Sequence, residues 1–268
     1  MSESIERLLS LMRRLRDPLH GCPWDRAQTP ATLVRHTLEE AYEVADCIER
    51  EDWRELPGEL GDLLFQVVFY AQIGAEQGSY TFDDVVDGVV DKLTRRHPHV
   101  FGDEPVLDAA GQAARWEQLK AAERGARAGG ASVLDGVALG LPALTRATKL
   151  QARAARHGFD WPALAPVREK LTEELDELDA ALARGDKTEV RHELGDLLFT
   201  CVNLARHLEI DAEAALREAT GRFTRRIGAI EQAAAGRGRK LADLGAAEMD
   251  ELWESAKADE RRGPSPPT

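Results

Sequence analysis

Residues 59–65 read Glu-Leu-Gly-Asp-Leu-Leu-Phe, and residues 193–199 read the same seven letters. Glu59 and Asp62 lie three positions apart, about one helical turn, so their carboxylates share a face. Around them Leu60, Leu63, Leu64, Phe65, Val67, Val68 and Phe69 make the segment apolar on nearly every side, which predicts a helix buried in the fold. Glu40 precedes Glu59 by nineteen positions within Glu39-Glu40-Ala-Tyr-Glu43, and Glu174 precedes Glu193 by the same nineteen within Glu173-Glu174-Leu-Asp-Glu177. The two copies stay 134 positions apart throughout, from Glu39 to Glu173 and from Glu59 to Glu193. A fixed spacing of this kind marks a duplicated structural unit.

Outward from these motifs the duplication continues more weakly. His20-Gly21 and Trp24 answer to His157-Gly158 and Trp161, Thr94-Arg95-Arg96 to Thr224-Arg225-Arg226, and Trp116 with Lys120 to Trp253 with Lys257. Ala, Leu, Glu and Arg dominate and few runs alternate with a period of two, so the predicted fold class is all-α, as two tandem helical bundles. Helices are predicted over residues 5–16, 32–50, 53–76, 81–96, 109–123, 141–156, 164–184, 188–208, 210–236 and 248–260. The Gly- and Ala-rich stretch before Gly140 lacks a helical stripe and reads as a linker. The expected organisation is a first module over 1–125, a linker over 126–140, a second module over 141–260 and a disordered tail over 261–268.

At 268 residues the chain has room for two cores. Its 48 acidic and 35 basic residues give a net charge of −13, which argues against non-specific attraction to nucleic acid. Cys22, Cys47 and Cys201 are scattered and form no C-x-x-C pair, so neither a disulfide framework nor a zinc site is expected, and they read as ordinary buried residues. The most apolar stretch, Leu63 to Ala75, is interrupted by Gln66 and Gln72 and is too short to span a bilayer. A cytoplasmic protein without membrane contact is expected.

In Glu-Glu-x-x-Glu, the pairs Glu40 with Glu43 and Glu39 with Glu43 lie side by side on a helix. A reversal at Glu49-Arg50-Glu51-Asp52 sets this helix antiparallel to the one bearing Glu59 and Asp62, so four or five carboxylates converge. Clustered carboxylates repel one another and protonate unless compensated. The hard oxygen donors suit magnesium, with manganese as the alternative, and no Cys or His is present to select a softer metal. An ordinary solvent-facing acidic helix is the competing account; the second copy at fixed spacing, beside the same apolar Glu-x-x-Asp segment, argues against it.

The Glu-Glu-x-x-Glu and Glu-x-x-Asp pair, with Cys22-Pro23-Trp24-Asp25, Arg95-Arg96-His97-Pro98-His99-Val100-Phe101 and Lys149-Leu150-Gln151, resembles the MazG family of all-α nucleoside triphosphate pyrophosphohydrolases. The resemblance runs from Ile5 to Lys257. It implies a four-helix catalytic unit, a homodimer, magnesium, and hydrolysis of a nucleoside triphosphate to the monophosphate and pyrophosphate. It also implies that Glu40, Glu43, Glu59 and Asp62 hold metal in the first module, and Glu174, Glu177, Glu193 and Asp196 in the second. Glu39 and Glu173 are the candidates for orienting the attacking water.

Phosphate charge calls for nearby cations. Lys92, Arg95 and Arg96, answered by Arg222, Arg225 and Arg226, are the candidates, against the alternative of a salt-bridged surface. Trp116 with Lys120, and Trp253 with Lys257, are candidates for stacking a base and touching a phosphate, although a tryptophan at helical spacing also serves as a core anchor. Two further readings compete. Glu189-Val-Arg-His192 has the spacing of a di-iron bundle, but its counterpart at residues 55–58 ends in glycine. A non-catalytic acidic adaptor leaves the repeated Leu-Leu-Phe unexplained.

Overall fold

The computed structural model describes residues 3–127 and 132–262. It contains helices α1 (Glu3–Leu15), α2 (Pro23–Ala27), α3 (Pro30–Glu49), α4 (Leu56–Glu76), α5 (Phe82–Arg96), α6 (Pro98–Phe101), α7 (Ala109–Arg127), α8 (Ala143–Arg156), α9 (Leu164–Arg184), α10 (Lys187–His207), α11 (Ala212–Ala235) and α12 (Ala246–Arg262). A 3₁₀ turn occupies Leu241–Asp243, and no strand occurs among the described residues. The all-α expectation holds. The short helices α2 and α6 and the 3₁₀ turn escaped prediction because one turn carries no periodicity to detect.

The chain divides into two compact units, residues 1–123 and 124–268. In the first, the acidic helix α3 opens on a reciprocal cap: Thr29 Oγ1 accepts from the Thr32 N–H, and Thr32 Oγ1 accepts from the Thr29 N–H. Pro30 supplies the first-turn φ without wasting a donor. After Glu49 the chain reverses through Glu51, whose φ of 56° is left-handed, and returns as α4 along α3. Met12, Leu33, Val68, Phe69 and Ile73 form the core that fixes α1, α3 and α4, with Leu8, Phe65 and Phe82 packed against it. The Arg16 guanidinium ties α1 to the backbone carbonyl of Asp25 in α2 and to the Glu76 carboxylate in α4. The Cys-Pro-Trp-Asp stretch is thus anchored to the bundle.

In the second unit the reversal between α9 and α10 is tighter. Gly185 adopts φ 72° as a left-handed cap, and the Asp186 carboxylate accepts from the N–H groups of Thr188 and Glu189 to start α10. Val167, Ala181 and Val202 are buried in this unit, and Ile230, Ala234 and Leu244 form a further cluster with Trp253.

Four expectations need correction or placement. The first half of α4 is not buried: Asp62 is exposed, Glu59 is half-buried, and Leu60, Leu64 and Val67 face outward. The core takes the side of α4 bearing Val68, Phe69 and Ile73, while Leu60, Leu64 and Val67 stay exposed to between a third and a half. Among the cysteines Cys47 is buried and Cys22 half-buried, but Cys201 is exposed; all are free. Of the expected linker, 128–131 lie outside the described residues, whereas Val137 is buried and Arg153 binds the carbonyls of Leu134 and Asp135. Helix α12 runs through Arg262, and the expected tail from 263 onward lies outside the described residues. No described helix is long and apolar enough to cross a membrane.

Candidate metal centre

Helix α9 presents Glu174 and Glu177 one turn apart, and the reversal at Gly185 returns α10 so that Glu193 meets them. One carboxylate oxygen from each of Glu174, Glu177 and Glu193 lies within 4.8 Å of the others. Glu174 is buried at 4% exposure, while Glu177 is exposed. A buried carboxylate beside two others requires a counter-charge. Within the protein that charge is Lys170, whose Nζ stands 2.7 Å from Glu173, 3.0 Å from Glu174 and 3.9 Å from Glu177. These carboxylates, the Glu173 hydrogen bond first, push the lysine pKa above its ordinary 10.5. Sequence inspection overlooked Lys170. Its signal was the position itself, one turn ahead of Glu174 on the acidic face.

The first unit repeats the arrangement without the lysine. Glu40, Glu43 and Glu59 offer oxygens within 4.8 Å of one another. The residue 134 positions before Lys170 is His36. Its Nε2 accepts from Arg35, which leaves Nδ1 to donate to Glu39 at 3.0 Å. Burial, then the charges of Glu43 and Asp62, raise the Glu40 pKa above 4.5, and burial with the same two neighbours raises that of Glu59. The repulsion expected of clustered carboxylates is therefore present and, at Glu59, only partly offset by Arg50, the electrostatic condition a divalent cation relieves. Asp62 and Asp196 are not among the carboxylates gathered within 4.8 Å. Asp62 still acts on the first cluster through its charge.

The cationic and aromatic candidates are arranged alike in both units. Arg96 pairs with Glu123 at 2.5 Å and lies over the Trp116 ring at 5.4 Å; Arg226 pairs with Glu260 at 2.7 Å and lies over Trp253 at 5.2 Å. Each tryptophan thus carries a guanidinium on its ring, and Trp253 also packs against Phe223 at 5.7 Å. Arg95 and Arg225 are more exposed and only 3.9 and 3.7 Å from the same two glutamates. Arg222 approaches Glu218 at 3.6 Å, Lys257 pairs with Glu254 at 2.8 Å, and Lys92 and Lys120 are half-buried. Glu39 and Glu173 are exposed beside the clusters, held by His36 and Lys170. His97 bonds the Leu93 carbonyl and packs on Trp116, a structural role. Glu189 of the supposed iron motif is bound by Arg184 at 2.9 Å, and neither acidic cluster contains a histidine, which removes the support for iron.

The model of the MazG nucleotide pyrophosphohydrolase domain matches residues 28–101 and again residues 165–229, the two segments that carry the acidic clusters. The chain is 50% identical over 258 residues to the Escherichia coli K12 protein named nucleoside triphosphate pyrophosphohydrolase, covering 96% of this chain and 98% of that one. It is 42% identical over 252 residues to the Thermotoga maritima nucleoside triphosphate pyrophosphohydrolase/pyrophosphatase MazG, covering 94% and 95%. It is also 43% identical over 254 residues to the uncharacterized Bacillus subtilis protein YabN, covering 94% of this chain and 51% of that longer one. Since both acidic motifs fall inside matched segments and the likeness extends over nearly its whole length, the chain belongs to the MazG nucleotide pyrophosphohydrolase family.

Proposed function

We propose that the protein hydrolyses nucleoside triphosphates to monophosphate and pyrophosphate with magnesium, chiefly at the carboxylate cluster of the second unit. The observation that carries this is the convergence of Glu174, Glu177 and Glu193 around a buried carboxylate, in a chain half identical to a protein named for that activity. The donors fit the ion: they are carboxylates only, within reach of one another, and in the equivalent group of the first unit mutual repulsion adds to burial in raising the pKa values of Glu40 and Glu59. Glu174, Glu177, Glu193 and Asp196 would hold it there, as Glu40, Glu43, Glu59 and Asp62 would in the first unit. When bound, the ion neutralises the triphosphate and makes the attacked phosphorus more electrophilic.

The products require that a water oxygen bond to the α-phosphorus while its bond to the bridging oxygen breaks and pyrophosphate departs. Glu173, held by Lys170, is the candidate for orienting that water and taking its proton, and Glu39 is the candidate at the first cluster. Arg225 and Arg95, more loosely paired than Arg226 and Arg96 beside them, are the candidates for the departing charge.

Residues 1–125 and 141–260 are taken as two MazG-like modules working in a cytoplasmic homodimer. Support for self-association comes from Val34, Leu38 and Tyr42 on α3 and Leu60, Leu64 and Val67 on α4, apolar side chains left exposed on the two helices that carry the first cluster. The test is a screen of ribo- and deoxyribonucleoside triphosphates with product identification, in magnesium and in EDTA. Monophosphate with intact pyrophosphate, abolished by EDTA and restored by magnesium or manganese, is expected. Release of diphosphate and orthophosphate, or full turnover in EDTA, would overturn the assignment.

A further inference from the structure

The two carboxylate sets differ in the cation that the chain itself sets against them. In the second unit Lys170 Nζ lies 3.0 Å from Glu174 and 3.9 Å from Glu177, two of the three gathered carboxylates, and 2.7 Å from Glu173. Glu174 is 4% exposed, so the ammonium stands in for the water that burial removes. The first unit has no lysine in that place. His36, which answers to Lys170, accepts from Arg35 at 3.1 Å and spends its other ring nitrogen on Glu39. Arg50 is paired with Asp46, Asp52 and Glu55 and reaches Glu59 only through its longer-range field. No ion pair to Glu40, Glu43 or Glu59 occurs among the described residues. Gln66, one turn past Asp62 on the same face of α4, is 7% exposed, and its Oε1 is buried without a partner. The first set therefore faces a spare oxygen acceptor rather than a positive charge.

We propose that Lys170 is the resident cation of the second set in the free protein, so that divalent metal alone loads the first unit and loads the second only together with a polyphosphate. The proposal rests on the reading that both sets hold metal and that the second acts on triphosphates. Cations competing for the same oxygens repel, so an ion enters the second set only by displacing Lys170. That side chain is 30% exposed and flexible, which lets it leave. A bare ion gives the displaced ammonium no new partner. A metal–triphosphate complex carries net negative charge, so it is attracted where the bare ion is repelled. Lys170 thus reserves the second set for metal that arrives with substrate, whereas the first set has no ammonium to displace.

The experiment counts manganese bound per full-length chain by equilibrium dialysis, in metal alone and with a triphosphate analogue whose α,β-bridging oxygen is replaced by methylene. In metal alone the wild type should bind manganese that is lost in Glu59→Gln and unchanged in Glu193→Gln. Lys170→Met should gain a further ion, removed by adding Glu193→Gln, with affinity at the second set raised roughly tenfold or more. Lys170→Arg keeps the charge and should show no gain. With the analogue present, the wild type itself should gain Glu193-dependent manganese. The wild-type counts and the Glu193→Gln comparison involve no Lys170 variant, so the test stays decisive if Lys170→Met fails to fold. Glu193-dependent manganese in the wild type in metal alone, or no gain in a folded Lys170→Met, would overturn the proposal and leave the metal assignment standing. Manganese absent from the second set under every condition would overturn both.

Discussion

Replacing Lys170 by Met removes the cation that, among the described residues, is set against Glu173, Glu174 and Glu177 together, while keeping most of the aliphatic stem. Two carboxylates 4.8 Å apart repel by about 3.5 kcal/mol at an effective dielectric of about 20, so the cluster depends on compensation when no metal is bound. Breaking a fully buried ion pair costs about 3–5 kcal/mol. Here the lysine side chain is 30% exposed and that of Glu177 50%, although Glu174 is only 6% exposed. Solvent screening therefore reduces the expected loss to about 1–2 kcal/mol. For a unit of this size the loss corresponds to a fall in Tm of roughly 5 °C. Thermal unfolding of the full chain, followed by circular dichroism in EDTA, should show that fall in Lys170→Met and not in Lys170→Arg. Saturating magnesium should shrink the difference, because the ion supplies the missing charge and stabilises the state that binds it. An unchanged or higher Tm for Lys170→Met in EDTA would refute the idea that Lys170 compensates the cluster.

Two further outcomes follow from the inequality of the units. Glu193→Gln should reduce turnover about a hundredfold, as loss of one transition-state charge stabiliser commonly does, and more than Glu59→Gln does, because the second cluster combines a buried carboxylate with Lys170; steady-state rates on the two purified variants decide it, and the reverse order would move catalysis to the first unit. The raised pKa values of Glu40 and Glu59 give the first unit a pH signature: the folded state holds protons more tightly than the unfolded one, so in EDTA stability should increase as pH falls from neutrality through the window just above 4.5. Tm measured from pH 7 to 4.5 should show this gain attenuated by magnesium and by Glu40→Gln, and a monotonic fall in EDTA would contradict it.

The helices and their acidic faces were legible in the sequence because helical periodicity and cap chemistry are local. Thr29, Thr81 and Asp186 announce helix starts wherever they sit, and Gly185 a stop. The spacing of Glu40 to Glu59 and Glu174 to Glu193, across a short reversal, was enough to bring three carboxylates of each set together. Residue type was sufficient to propose a hard divalent ion.

Other properties depend on which neighbours the folded chain supplies, and composition does not specify them. An apolar run around Glu59 signals that something covers it, but only packing reveals that Met12, Leu33 and Phe69 use one side of the bundle and that Leu60, Leu64 and Val67 remain uncovered within the first unit. Arg96 and Arg226 looked free to meet phosphate until α7 and α12 brought Glu123 and Glu260 against them. Lys170 was an unremarkable letter on an amphipathic helix, and Gln151 only the last letter of a family motif. The first gains its importance from a buried glutamate one turn away, the second from a carbonyl 48 residues along the chain that takes its amide and leaves its oxygen unpaired. Local sequence thus determined the helices and the carboxylate sets. Tertiary packing alone decided which charges are compensated and which polar atoms remain available, because both are set by distances between residues far apart in the chain.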